Sequence, residues 1–139
     1  QGIPVEYIFY NNEVEQIKIL TEQLKKFSES KLPFNELVIM SPKKFDHCCY
    51  SSCSDLKIKE LKSTNAFAAI QKFFCFATIH SYKGMESNYV IITDVEDLNT
   101  EMSKSLLYVG MSRARYGLTL LISESMRNNY RELLKRKLN

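Results

Sequence analysis

The chain has 139 residues, 45% of them hydrophobic and 25% charged, which is typical of one soluble globular domain. Its formal net charge of +3 permits binding to nucleic acid but does not by itself indicate it. No apolar run approaches the roughly 18 residues of a membrane helix, and no signal-peptide pattern is present, so we expect neither a membrane protein nor a secreted one.

The N-terminal third predicts a strand, a helix and a second strand. Residues 4–10 (PVEYIFY) are rich in β-branched and aromatic side chains, which favours a strand. Asn12 and Glu15 are typical of a helix N-terminus, and the apolar residues after them recur at helical spacing, so residues 13–28 predict a helix. Residues 36–40 (ELVIM) predict a short strand buried in a parallel sheet.

The remainder of the chain continues this alternation. A short strand, on an edge of the sheet, is predicted at residues 57–61, and the other predicted elements are strands at 73–79, 89–95 and 118–122 and helices at 100–115 and 125–138. Apolar strands that alternate with amphipathic helices indicate an α/β sandwich with a mostly parallel sheet. In such sheets, ligands commonly bind at the loops that leave the carboxyl ends of the strands.

Three of the four cysteines, Cys48, Cys49 and Cys53, lie in the segment HCCYSSC. Zinc sites usually contain C-x-x-C pairs, and this segment has neither that spacing nor a second pair downstream. We therefore expect free thiols in the reducing cytoplasm and no metal site.

Polar residues gather where the strand at 73–79 ends. Thr78, His80, Lys83 and Glu86 supply a hydroxyl, an imidazole, an ammonium group and a carboxylate, and Gly84 would let a ligand approach the backbone closely. A ligand-binding rim and a polar loop that ends a strand both fit this pattern. The residues alone do not choose between the two.

Two arginines close the segment 106–115 (LLYVGMSRAR), which we expect to be helical. A guanidinium group keeps its charge, and its donors suit phosphate oxygens. Arg113 and Arg115 are two positions apart, so on a helix they point in different directions and either one could face a cleft. Spacing therefore does not select one of them.

Asp94 ends a buried strand, as does the carboxylate that holds Mg²⁺ in phosphate-loop enzymes. That role needs a G-x-x-x-x-G-K-[ST] loop, which this chain does not contain, so we expect Asp94 and Glu96 to form an acidic cluster at the strand end.

In the last helix, a basic stripe fits either a solvated face or contact with nucleic acid; its members are Arg127, Arg131 and Lys135.

Taken together, two segments resemble motifs of superfamily 1 DNA helicases of the UvrD/Rep type. Residues 78–86 (TIHSYKGME) resemble motif V (T-x-H-x-x-K-G-x-E), and residues 107–114 (LYVGMSRA) resemble motif VI (Y-V-x-x-[TS]-R-A). They occur in the family's order. The resemblance implies that residues 1–139, a fragment of a longer protein, form the C-terminal RecA-like motor domain: a three-layer α/β sandwich related to phosphate-loop NTPases that lacks its own phosphate-binding loop.

The resemblance also implies an ATP site. Arg113 would reach the γ-phosphate and stabilise charge in the transition state. Glu86 would accept a hydrogen bond from the ribose, and Gly84 would allow the close approach. ATP would lie between this domain and the N-terminal RecA-like domain of the same protein, which would hold Mg²⁺. The parent protein would be a cytoplasmic ATP-dependent DNA helicase or translocase.

Single-stranded DNA is the second ligand that the resemblance implies. Thr78 and His80 would contact its phosphate backbone, and Lys83 would support the same loop. The family usually has a further arginine, aimed at the γ-phosphate, after its motif IV strand. The matching residues 40–44 (MSPKK) contain none, and Lys43 or Lys44 would lack the bidentate geometry of a guanidinium group.

Two alternatives to a motor domain remain open. One is a non-catalytic module that keeps a helicase-like fold in order to bind nucleic acid or protein, which the missing arginine favours slightly. The other is a flavodoxin-like ligand domain, which the fold pattern permits but the two motifs disfavour.

Overall fold

The computed structural model describes residues 2–61, 73–82 and 84–138. Its strands are β1 (Val5–Tyr10), β2 (Leu37–Ser41), β3 (Ile58–Glu60), β4 (Phe74–Thr78), β5 (Ser87–Val95) and β6 (Ala114–Ser123). Its α-helices are α1 (Glu13–Glu29), α2 (Glu101–Met111) and α3 (Arg127–Leu138). Each predicted strand and helix is present, so the predicted order of elements is confirmed. The Asn12 side chain accepts from the Glu15 backbone N–H at 2.8 Å, which confirms the predicted helix cap.

The sheet is six-stranded and wholly parallel, with the strand order β1-β6-β5-β2-β4-β3. Alternate residues of each central strand point to opposite faces. One face packs against Leu20 and Leu24 of α1, and the other packs against Leu107 of α2 and Tyr130 of α3. The predicted three-layer α/β sandwich is therefore confirmed, as is the edge position of the strand at 57–61. Among the described residues, no helix combines the length and apolar character needed to cross a membrane.

The predicted helix at 100–115 is wrong at its C-terminal end. Helix α2 ends at Met111, and Arg113 lies in a turn in which its backbone N–H donates to the Gly110 carbonyl at 3.1 Å. Arg115 already belongs to β6, because β6 pairs with β5 from Ala114 onward. Pairing with a distant strand outweighs the local helical pattern here, so the two arginines do not share a helix.

Helix α2 approaches the sheet closely at Gly110. A Cβ atom at this position would lie 2.9 Å from Cδ1 of Ile92 and 3.0 Å from Cδ1 of Ile79. Only glycine allows this approach without a shift of the isoleucines beneath it. The glycine of the LYVGMSRA segment thus sets the depth at which the end of α2, and with it Arg113, meets the sheet.

Asp94 is a buried hub and not part of an exposed acidic cluster. It is 2% exposed, and its carboxylate accepts hydrogen bonds from Gln16 Nε2 at 3.0 Å, Ser41 Oγ at 2.9 Å and Thr93 Oγ1 at 2.6 Å. Its backbone N–H donates to Gln16 Oε1 at 2.7 Å. These bonds tie α1, β2 and β5 together, because Gln16 lies on α1 and Ser41 ends β2.

The backbone at Asp94 is left-handed, with φ of +61°. The register between β5 and β6 shifts at this point: Ile92 pairs with Leu120, but Val95 pairs with Ile122, so β5 contains one extra residue. Asp tolerates a positive φ better than most residues, and the hydrogen bonds to its side chain offset the strain. The bulge ends the regular pairing and redirects the chain toward Glu96.

Replacing Asp94 should destabilise the domain. In an Asp94→Ala variant, donors from Gln16, Ser41 and Thr93 are left buried without an acceptor, so we expect unfolding to need about 3 kcal/mol less free energy. Urea unfolding followed by circular dichroism measures the loss. The matched control is Asp97→Ala, which removes an exposed carboxylate from the same turn and should cost less than about 1 kcal/mol. Equal losses in the two variants would contradict the role of Asp94.

Candidate functional site

The candidate residues lie at two opposite edges of the sheet. Thr78 ends β4 and pairs in register with Ser41, the last residue of β2, at the carboxyl edge. Ser87 begins β5 and pairs with Ala114, the first residue of β6, at the amino edge. The loop of residues 79–86 therefore crosses the sheet from edge to edge, a distance of roughly 15 Å for strands of five residues. We call it the crossing loop.

Thr78 and His80 form the group at the carboxyl edge. The Thr78 hydroxyl donates to Ser81 Oγ at 2.9 Å and accepts from the Ser81 backbone N–H at 3.1 Å, which closes a tight turn. This turn holds the imidazole of His80 exposed to solvent. Lys83, the third residue predicted for this group, lies outside the described residues.

Two apolar side chains anchor the crossing loop in the core. Ile79 is 1% exposed and Tyr82 is 6% exposed, and the Tyr82 hydroxyl donates to the Glu86 carbonyl at 3.1 Å. Burial raises the pKa of Tyr82, so the hydroxyl stays protonated as a donor. Gly84 has φ of +76°, a conformation that favours glycine, and lies exposed where the loop turns toward β5. Tyr82 is an aromatic residue among polar ones, a sequence signal for an anchoring side chain that our prediction did not use.

Arg113 is held at the amino edge beside the end of the crossing loop. Its carbonyl accepts from the Ser87 backbone N–H at 2.9 Å, directly after Glu86. Its side chain is half-buried, and Nε is a buried donor without a hydrogen-bond partner among the described residues. A buried donor left in this state costs about 1–3 kcal/mol. An acceptor supplied from outside these residues would remove that cost.

Arg115 has a different environment. Its Nε lies 3.8 Å from Glu86 Oε1, and both side chains are more than half exposed. Such a pair contributes little to stability because water screens it. It does, however, bring Glu86 and Arg115 together at the amino edge. Within the described ranges, Arg113 thus keeps a donor without a partner, whereas Arg115 has a carboxylate partner.

Lys43 is engaged at the carboxyl edge, away from Arg113. Its Nζ lies 2.8 Å from Glu96 Oε1, and Tyr10 donates to Glu96 Oε2 at 3.1 Å. Burial alone would lower the pKa of Lys43, but the hydrogen bond to Glu96 and the negative charges of Glu96 and Asp94 together outweigh burial, so the pKa is raised. Lys44 is exposed next to it. The structure therefore does not bring either lysine to Arg113.

The cysteine segment packs as part of the core. Cys48 is buried and donates to the Lys44 carbonyl at 3.4 Å, while Cys49 accepts from Gln16 Nε2 at 3.4 Å. Burial raises the pKa of Cys48 to about 12 and that of Cys49 to about 11, so both are thiols near neutral pH. In the described part of the chain, no group of three or more potential ligands is placed to hold a metal ion.

The basic stripe of α3 is interrupted by acidic partners. Arg127 donates from Nη2 to Glu124 Oε1 at 2.8 Å, and its guanidinium carbon lies 3.9 Å from the centre of the Phe9 ring. Lys135 lies 3.7 Å from Glu132. These contacts favour the solvated helix face over a nucleic-acid surface.

Comparisons with known proteins identify both the segment and the fold. Residues 73–121 match the family model of the UvrD-like helicase C-terminal domain. A solved structure of similar fold is the C-terminal domain of a possible DNA helicase from Lactobacillus plantarum WCFS1, with 20% sequence identity and a TM-score of 0.65 over 88% of this chain and 74% of that one. The search of curated proteins found no match.

The matched residues include both motif-bearing segments, the crossing loop and the turn that holds Arg113. The α/β fold around them is similar to that of the C-terminal domain of a possible DNA helicase. The resemblance inferred from the two motifs is therefore confirmed: residues 73–121 match the model of the UvrD-like helicase C-terminal domain, and the fold is similar to that of the C-terminal domain of a possible DNA helicase.

Proposed function

We propose that the chain is the second motor domain of an ATP-dependent DNA helicase or translocase. It supplies part of an ATP site and part of a track for single-stranded DNA. The rest of the ATP site lies in an N-terminal RecA-like domain of the same protein. The observation that carries the proposal is the buried Nε of Arg113, which has no hydrogen-bond partner among the described residues and lies within the segment that matches the helicase family model.

Arg113 acts on the γ-phosphate in this proposal. Phosphoryl transfer spreads negative charge over the equatorial oxygens, and an arginine placed against them stabilises that charge without taking part in covalent chemistry. The turn after α2 fixes the backbone of Arg113 to the start of β5, so only its side chain remains to be ordered when ATP binds. The charge-assisted hydrogen bonds to phosphate satisfy the buried donor.

Glu86 and Gly84 contact the ribose in this proposal. Glu86 is exposed at the amino edge, and its exposed ion pair with Arg115 is weak enough to exchange for ribose hydroxyls. Gly84 has no Cβ, and its surroundings are open, so a nucleotide can approach the backbone there.

Mg²⁺ and the loop that cradles the phosphates come from the N-terminal domain. The bound ion neutralises charge on the phosphate oxygens. In this chain Asp94 does not fit the role of ligand, because it is 2% exposed and three donors already occupy its oxygens. Arg113 fits the phosphates themselves, since its buried Nε has no acceptor in the part of the chain that the structure describes.

The crossing loop links the two ligands. Thr78 and His80 stand at its start and contact the DNA backbone, whereas Glu86 stands at its end beside the nucleotide. Lys83 belongs to the same loop and supports the DNA contact. Because Ile79 and Tyr82 pin the loop to the core, a shift at one edge carries to the other. Opening and closing of the cleft between the motor domains then moves the strand.

A non-catalytic module with a helicase-like fold is the second candidate. The ion pair between Lys43 and Glu96 favours it, because it leaves the missing motif IV arginine without a replacement in this region. The two candidates differ in one property. Only the motor domain makes Arg113 necessary for ATP turnover.

Substitution of Arg113 tests the motor proposal in the full-length protein. For Arg113→Ala we expect DNA-stimulated ATP turnover to fall by at least about 10³-fold, the loss typical of a missing arginine finger. The KM for ATP should change little, because the interaction forms mainly in the transition state. Steady-state ATPase assays at saturating DNA measure both quantities.

Arg113→Lys serves as the matched control for charge. It keeps the positive charge without the planar fork, so we expect it to recover only part of the turnover. Wild-type turnover in the Arg113→Ala variant, or a proportionate loss of ATP binding, would argue against the assigned role.

Substitution of His80 tests the DNA contact. In the full-length protein His80→Ala should raise the DNA concentration that half-saturates the ATPase by roughly tenfold, since a hydrogen bond to a charged group contributes about 1.5 kcal/mol. Turnover at saturating DNA should be close to that of the wild type. The control is His47→Ala, which removes the chain's other histidine, also exposed, from a segment outside the crossing loop. An equal effect in both variants would rule out a specific contact at His80.

A further inference from the structure

The amino edge contains a second sheet irregularity, next to Arg113. Ser87 pairs with Ala114, but Tyr89 pairs with Gly117, so β6 contains one more residue than β5 over this stretch. Such a bulge breaks the alternation of side chains and redirects them. Arg115 and Tyr116, the residues of this bulge, are both exposed although they are neighbours in a strand.

The bulge presents the Tyr116 ring to solvent on a fixed support. The ring is 56% exposed, and its centre lies 6.4 Å from that of Tyr89 and 5.8 Å from the guanidinium carbon of Arg115. Tyr89 itself is held in place: Phe27 contacts it edge-on at 5.8 Å, and it covers Gly117, where a Cβ would lie 2.9 Å from the ring. An ordered aromatic surface beside a cation is suited to stacking with a nucleobase.

This surface is continuous with the residues assigned to the nucleotide. Arg115 touches Tyr116 on one side and Glu86 on the other, at 3.8 Å from its carboxylate. A base is bonded directly to its ribose, so a ribose held by Glu86 brings its base to the neighbourhood of Tyr116. The predicted DNA contacts at Thr78 and His80 lie at the opposite edge of the sheet, roughly 15 Å away.

We propose that Tyr116, presented by the bulge and supported by Tyr89, stacks against the base of the nucleotide bound at Glu86 and Arg113. The inference rests on the proposed function, since that function places a nucleotide at this edge. The stacking would strengthen nucleotide binding and leave the chemical step unchanged.

Two measurements on the full-length protein test the stacking. In Tyr116→Ala the KM for ATP should rise roughly tenfold, which corresponds to about 1.4 kcal/mol, with kcat and the half-saturating DNA concentration unchanged. Tyr116→Phe keeps the ring and should behave as the wild type. Tyr7→Ala, which removes a tyrosine of similar exposure from β1, should also leave the KM unchanged.

The second measurement follows the base directly. The fluorescence of 2-aminopurine riboside triphosphate should be quenched when it binds wild-type protein and Tyr116→Phe, and much less quenched in Tyr116→Ala. Unchanged KM and unchanged quenching in Tyr116→Ala would overturn the proposal. A rise in the half-saturating DNA concentration without a rise in KM would also overturn it, because the ring would then face the nucleic acid.

The two measurements also separate this inference from the proposed function. A protein that shows no DNA-stimulated ATPase but quenches the analogue through Tyr116 would refute the motor proposal and support the stacking. Normal DNA-stimulated ATPase, with KM and quenching unchanged in Tyr116→Ala, would support the motor proposal and refute the stacking.

Discussion

The functional arrangement depends on how the chain passes from β4 to β5. In a parallel sheet the end of one strand and the start of the next lie at opposite edges, and the connection is commonly a helix of a dozen or more residues. Here the connection is only residues 79–86, and Ile79 and Tyr82 hold it against the core. One short loop therefore has its first residues at the carboxyl edge and Glu86 at the amino edge.

The two bulges between β5 and β6 set the orientation of side chains at both edges of the sheet. At the carboxyl edge, the extra residue of β5 turns Asp94 inward to bind α1 and β2. At the amino edge, the extra residue of β6 exposes Arg115 and Tyr116 beside Glu86. One bulge contributes to stability and the other to the candidate nucleotide site, while the regular pairing between them keeps the edges at a fixed separation.

Sequence patterns predicted the helices, strands and motifs that are determined by residues close together in the chain. Helix α1 and its Asn12 cap, the buried strands and the motif segments are all set by local spacing. Burial of Asp94 was not predictable, because its partners Gln16 and Ser41 are 78 and 53 residues away. The end of α2 at Met111 was not predicted for the same reason: pairing of β6 with the distant strand β5 places Arg113 and Arg115 outside the helix, and the local sequence does not show this. The selection of Arg113 came from the resemblance alone; in the described part of the chain its Nε is a buried donor without a hydrogen-bond partner, a property that local sequence does not predict.

The central claim is that this chain holds one half of an ATP site. The most direct measurement is the ATPase rate of the purified 139-residue chain, with single-stranded DNA present, compared with that of the full-length protein. We predict no hydrolysis above background by the chain alone, because the proposed function assigns the phosphate-binding loop and the ligands for Mg²⁺ to another domain, and clear hydrolysis by the full-length protein. A measurable rate from the chain alone that disappears in Arg113→Ala would contradict this account.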